Sequence, residues 1–114
     1  MRLGVLSDLH ANLPALEAAL EALRAEAVDE VLVLGDLVGY GPHPRQVIHR
    51  IWEEGLAAIA GAWDLRVAYP LPGPLPEGVG KATLEWTRAQ LGEKELAYLR
   101  SLRLSHRRAY GRMR

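Results

Sequence analysis

Within its first sixty-four residues the chain repeats one event three times: an apolar run stops at a polar cluster that contains an aspartate. Leu3-Gly4-Val5-Leu6 ends in Ser7-Asp8-Leu9-His10, Val31-Leu32-Val33-Leu34 ends in Gly35-Asp36, and Leu56 to Ala60 ends in Gly61-Ala62-Trp63-Asp64. Short apolar runs bounded by polar residues read as buried strands. Strands are therefore predicted over 2–7, 31–34 and 56–60, the last weakened by its alanines. Between the first two the period changes. Leu13, Leu16, Leu20, Leu23 and Ala27 fall three or four apart, which makes one apolar stripe on a helix. Asn12 can cap that helix, and Pro14 fits its first turn, whose N–H groups have no intrahelical partner. Pro44 opens a second helix running to about Glu54, with Val47, Ile48 and Ile51 inward and Gly55 as its stop.

A strand-helix-strand unit of this kind is parallel with a right-handed crossover. Asp8 and Asp36 are thereby placed at one edge of one sheet, outside the C-terminal ends of the strands, where open α/β sheets bind ligands. The loop Gly39-Tyr40-Gly41-Pro42-His43-Pro44 is rigid and turn-rich. Further on, Pro70, Pro72, Pro74 and Pro76 with Gly73 form a stiff connector that is neither helix nor strand. Helices are predicted over 81–90, with Leu84, and over 93–102, with Leu96, Leu99 and Leu102; Leu91-Gly92-Glu93 is the break between them. Trp52 and Trp86 fall in helices, as core or interface side chains. Residues 1–104 read as the ordered part. Residues 105–114 show no apolar period and are expected to be a disordered basic tail.

The totals narrow the class. The chain has 114 residues, 49% of them hydrophobic, enough for one domain with a real core. Formal net charge is zero, which argues against a nucleic-acid footprint across the whole domain. The local basic excess, Arg107, Arg108, Arg112 and Arg114 with no acid among them, reads as a solvated end in preference to a nucleic-acid contact. Without cysteine there is neither a disulfide nor a thiolate metal site. No run of about 18 apolar residues and no signal-peptide pattern occurs, so the expectation is a cytoplasmic protein with no membrane partner.

Asp8 and His10 carry the first chemical signal. In extended geometry, residues two apart send their side chains to the same side of the backbone. A carboxylate and an imidazole facing one point suit a divalent transition metal, and Asp36 is placed to join them. Hydrolysis of a phosphate ester needs a nucleophile at neutral pH and charge neutralisation at the phosphoryl oxygens, and bound divalent ions supply both. Each residue also has a plainer role open to it. Asp8 and His10 would serve as a turn and a cap, and Asp36 as a turn residue. His43 either faces substrate or is solvated in its loop, and Tyr40 either packs over the site or stiffens the loop. Asp64 orients its neighbours or caps a turn, Trp63 packs, and His49 and His106 lie at the surface. Two other enzyme classes do not fit. A haloacid-dehalogenase site needs a second aspartate where His10 stands. A phosphate-cradling Walker loop needs a hydroxyl that Gly80-Lys81-Ala82 lacks.

Ser7-Asp8-Leu9-His10, Gly35-Asp36-Leu37-Val38-Gly39-Tyr40-Gly41-Pro42 and Gly61-Ala62-Trp63-Asp64, in this order and each after a strand, resemble the calcineurin-like metallophosphoesterases. Asn12-Leu13-Pro14-Ala15-Leu16 is similar to their bacterial phosphodiesterase branch, and the likeness runs from Met1 to about Leu104. It implies a four-layer α/β fold of which this chain is the N-terminal half only, truncated: a mainly parallel sheet with crossover helices and two C-terminal helices. It implies that Asp8 and His10 bind one divalent ion (Mn, Fe, Zn, Ni or Mg) and that Asp36 bridges two. The chain departs from the family pattern at Ala62, where an asparagine would ligate the second metal and touch the phosphate. It departs again at Trp63, where a histidine often assists the leaving group. The later Gly-His-x-His loop that completes the family site is absent. The expectation is one strong metal site at most, no assignable catalytic side chain, and a metal-dependent phosphoesterase for a small phosphoester substrate that is weak or inactive as this short chain. The rival reading is a non-catalytic remnant that binds a metal, a phosphate ligand or a partner protein. A half-sandwich leaves one sheet face uncovered, so either the C-terminal helices fold over it or two chains pair. A homodimer or partial order is expected.

Overall fold

A computed structural model of the chain describes residues 1–69 and 78–111. The proline-rich connector expected at 70–76 lies outside the described residues, as do Arg112 and Arg114 of the basic tail. The element order is β1 (Leu3–Leu6), α1 (Leu13–Ala25), β2 (Glu30–Val33), α2 (Pro44–Glu53), β3 (Ala57–Ala58), α3 (Ala62–Ala68), α4 (Val79–Gln90) and α5 (Glu93–Ser101). The three strands form one parallel sheet in the order β1-β2-β3, with Leu6 beside Val33 and Val33 beside Ala58. The fold is the α/β class that the alternation of periods implies. None of the described helices is long and apolar enough to cross a membrane.

Local chemistry accounts for the helices. The Asn12 side chain accepts the Ala15 N–H at 3.1 Å, which satisfies one of the unpaired donors at the start of α1, with Pro14 in the first turn. Leu16 and Leu20 turn inward from α1, and Val47, Ile48 and Ile51 from α2, all buried with Val33, Leu37 and Val38. Leu84 of α4 and Leu99 of α5 complete the same core. Burying a side chain of this kind stabilises the fold by about 1.5–3 kcal/mol relative to leaving it in water.

Three features differ from the sequence reading. The third strand keeps only Ala57 and Ala58; Ile59 instead forms an isolated bridge with Arg103, and Ala60 donates to the Arg103 carbonyl at 2.9 Å. Alanine gives little side-chain surface to pack across a sheet, so the run is a weak strand. Residues 62–68 form a helix where none was expected. Of the two roles read for Trp52 and Trp86, core or interface, the core is removed: they are 50% and 43% exposed, and Trp52 stacks on Tyr98 of α5 with ring centroids 6.0 Å apart.

Strand alternation divides the sheet. Leu6, Val31, Val33 and Ala58 join the helix-covered core, whereas Val5 and Leu34 on the other face are 53% and 44% exposed. Helices α4 and α5 do not fold over that face; they pack on α2 and α3. Beyond α5, Arg108 forms an ion pair with Glu30, and the Tyr110 hydroxyl donates to Glu30 Oε2 at 3.3 Å.

Glu95 ties α5 to the rest. Only 5% exposed, it accepts the Gly92 N–H at 3.0 Å and faces Arg45 at 3.8 Å and His49 at 3.7 Å on α2. His49 is thus half-buried at a helix contact, not a surface side chain. The Gly92 N–H holds the Glu95 carboxyl below the ordinary carboxylate range; burial opposes this, and Arg45 and His49 reinforce it. A carboxylate whose folded pKa is depressed contributes stability above its ordinary value, and that stability is lost as pH falls below it. Glu95→Gln keeps the shape but removes the charge. It is expected to cost about 1 kcal/mol at pH 7, with the deficit shrinking as pH falls below 4.5, read by calorimetric melting at each pH.

Candidate metal centre

The site is built where β1 and β2 run out. Their pairing does not stop with the strands: Leu34 N donates to Leu6 O at 2.7 Å, Asp8 N to Gly35 O at 3.1 Å, His10 N to Asp36 O at 2.9 Å and Ala11 N to Leu37 O at 2.8 Å. These bonds zip the two aspartate loops together. To make them the chain takes left-handed backbone at Asp8 (φ 57°), His10 (φ 43°), Ala11 (φ 56°) and Asp36 (φ 53°). Such conformations cost about 1–2 kcal/mol each for residues with a Cβ and concentrate at functional sites. The extended geometry expected of Asp8 and His10 is therefore not what aligns them. A turn brings Asp8 Oδ1 to 3.6 Å from His10 Nε2.

Asp8, His10 and Asp36 each offer one ligand atom, and the three atoms lie within 4.8 Å of one another. The imidazole is oriented by its far side. His10 Nδ1 lies 3.1 Å from the Val38 carbonyl oxygen, which can only accept, so Nδ1 carries a proton and Nε2 is the ring nitrogen turned toward Asp8. Carbonyl contacts of this kind fix the ring of a metal-bound histidine. Ser7 Oγ donates to Asp8 Oδ2 at 2.7 Å, and the Trp63 N–H donates to Asp36 Oδ1 at 3.0 Å. Both carboxylates retain unshared lone pairs. Asp8 is exposed, while His10 and Asp36 are half-buried, so the cluster opens to solvent. Two carboxylates and one oriented imidazole are a donor set that fits a divalent transition cation.

The third loop supports the second. Asp64 is fully buried; its Oδ1 accepts the N–H groups of Leu37 at 2.9 Å and Val38 at 3.2 Å, and its Oδ2 accepts that of Gly61 at 2.8 Å. The last bond also caps α3, three residues into the helix. Burial pushes the Asp64 carboxyl up to about 6, against the pull of those three amides. The backbones meet so closely that a Cβ on Gly35, already at φ +99°, would lie 2.4 Å from Gly61 N, and one on Gly61 would lie 2.3 Å from Asp36 N.

Other candidates fall elsewhere. Ala62 opens α3 with its methyl exposed, and it has no lone pair to offer a cation. His43 precedes α2; its Nδ1 is buried without a partner among the described residues, and it is not one of the three clustered donors. His106 lies 3.4 Å from the Tyr110 hydroxyl. The helix α3 was not foreseen in the sequence; Tyr40, with two roles open, meets the His10 ring with centroids 5.7 Å apart. The Gly61-to-Asp64 spacing was the readable signal for the helix start.

Asp64→Ala removes the acceptor of three backbone donors, with about 1–3 kcal/mol lost for each one left buried. The expected result is a stability loss of roughly 3 kcal/mol or more in urea denaturation, since part of the strain relaxes. Gly61→Ala forces the Asp36 and Gly61 loops apart. It is expected to weaken Mn²⁺ binding at least tenfold in calorimetric titration while the far-ultraviolet circular dichroism stays helical.

Comparison with known proteins places these loops in a family. A model of the calcineurin-like phosphoesterase superfamily domain matches residues 1–111. The crystal structure of a metallophosphoesterase from Sphaerobacter thermophilus superposes with a TM-score of 0.71 at 40% identity, covering 90% of this chain and 41% of that one. That of a putative diadenosine tetraphosphatase superposes with a TM-score of 0.70 at 24% identity, covering 89% and 42%, and shares the fold. An uncharacterized protein of Methanocaldococcus jannaschii is 29% identical over 102 residues, 90% of this chain and 42% of its own length. The chain thus spans about two fifths of the length of these relatives. With its three strand-end aspartate loops in the family's order, the chain belongs to the calcineurin-like phosphoesterase superfamily.

Proposed function

We propose that Asp8, His10 and Asp36 bind one divalent transition metal ion, and that this is the phosphoester-hydrolysing centre of the chain. The convergence of three donor atoms within 4.8 Å, with the His10 ring oriented by the Val38 carbonyl, carries this reading. A bound ion supplies positive charge to the phosphoryl oxygens and lowers the pKa of a water. The chain's own residues do the rest. The Val38 carbonyl keeps the proton on His10 Nδ1. The Trp63 amide and the Asp64 brace fix Asp36. Position 63 offers an indole, which donates no proton to a leaving oxygen at neutral pH, so esters with good leaving groups such as aryl alcohols are the favoured substrates.

A second reading has its own support. Ala62 supplies no donor for a second ion, and Val5 and Leu34 stand exposed on the open sheet face. On that reading the chain is a non-catalytic module that pairs, with itself or with a partner protein, through that face.

Titration with Mn²⁺ in a calorimeter is expected to give one ion per chain, lost in His10→Ala and Asp36→Asn; no binding by the unaltered chain would remove the first reading. Ala62→Asn restores a carbonyl donor at the start of α3. It is expected to raise turnover of an aryl phosphodiester at least tenfold, and no gain would favour the non-catalytic module.

A further inference from the structure

The loop after Asp36 contains a residue in the wrong backbone for its size. Gly41 N donates to Gly39 O at 2.8 Å across a single intervening residue, Tyr40, whose φ is +66°. This is a γ-turn of the positive-φ kind, which is rare and strained, and a bulky side chain at its centre is an outlier. Glycine or asparagine would sit there at less cost. Burial does not offset the strain, because Tyr40 is 56% exposed.

The ring is nevertheless held in place. It meets Trp63 with centroids 4.7 Å apart at 66°, and His10 with centroids 5.7 Å apart at 75°. Trp63 is itself anchored at the centre through its amide on Asp36. Arg66 covers the indole, its guanidinium carbon 5.1 Å from the ring centroid, and so holds Trp63 in turn. One of the two rings that brace Tyr40 is His10, a member of the metal cluster, and more than half of Tyr40 stays exposed to solvent. Aromatic faces in this position bind flat rings: one base–aromatic stack is worth about 1–3 kcal/mol, and offset or edge contacts add to area burial.

The geometry points to Tyr40, braced by His10 and Trp63, as the surface that receives the organic part of the substrate, a phosphoester carrying a flat aromatic ring such as a nucleobase or an aryl group. The inference rests on the phosphoester reading of the metal centre and names the substrate class of that same site. In this arrangement the phosphate lies at Asp8, His10 and Asp36, and the ring lies against Tyr40. The arrangement adds a reason for aryl preference independent of leaving-group chemistry. It also distinguishes two roles for Tyr40: stiffening the loop needs no exposed ring, whereas receiving a ring does.

Adenosine monophosphate and glycerol 3-phosphate, titrated into the Mn²⁺-loaded chain by calorimetry, separate the phosphate from the ring. Adenosine monophosphate is expected to bind about tenfold more tightly, the size of one stack. Tyr40→Phe is expected to keep that ratio. Tyr40→Asn, which suits the left-handed backbone, is expected to bring adenosine monophosphate down to the affinity of glycerol 3-phosphate. Equal affinities in the unaltered chain, or a ratio that survives Tyr40→Asn, would overturn the inference. A loss shared equally by Mn²⁺ and both ligands in Tyr40→Asn would also overturn it, by showing that the ring only orients His10. Should Mn²⁺ fail to bind, the metal reading falls separately. The ring contact is then read in the metal-free chain from upfield shifts of the adenine protons in NMR; their presence in the unaltered chain and loss in Tyr40→Asn supports it, and their absence from the unaltered chain overturns it.

Discussion

One buried carboxylate holds the site in shape. Asp64 takes the N–H groups of Leu37, Val38 and Gly61 onto its two oxygens, and no solvent reaches it. Leu37 and Val38 are the residues directly after Asp36, and Val38 is also the residue whose carbonyl orients His10. One side chain therefore sets the loop that carries Asp36, the ring of His10 and the start of α3. Burying a charge in this way is unfavourable alone, as its raised pKa shows. Three amide donors that would otherwise be unsatisfied make it worthwhile.

The same economy appears in the backbone. Asp8, His10, Ala11 and Asp36 adopt left-handed conformations, and the interloop hydrogen bonds from Asp8, His10 and Ala11 keep them there. Local strain at the strand ends is balanced by long-range pairing, and the three donor atoms are held within 4.8 Å of one another.

Much of this was legible in the residues. The change of period from short apolar runs to the leucine stripe of α1 defined the parallel sheet and its crossovers, and it put Asp8 and Asp36 at one edge. What the sequence hid follows from context. A two-residue strand of alanines and a seven-residue helix are too short for periodicity to reveal. The left-handed turn at Asp8 and His10 gave the expected convergence by an unexpected route, because pairing with Gly35 and Asp36 overrides the local preference for extended chain. Trp52 and Trp86 lie on the outer faces of α2 and α4, and residue type alone does not tell the inner face from the outer. The strain at Tyr40 is a backbone property invisible in composition.

Family membership and geometry together make the cation the centre of the account, and the ligation of one imidazole nitrogen is its sharpest feature. Pulsed electron paramagnetic resonance of the Mn²⁺-loaded chain reads that nitrogen directly. The account predicts a coupling from a single directly bound imidazole ¹⁴N that disappears in His10→Gln. A spectrum with no nitrogen coupling, or a coupling that persists in His10→Gln, would contradict it.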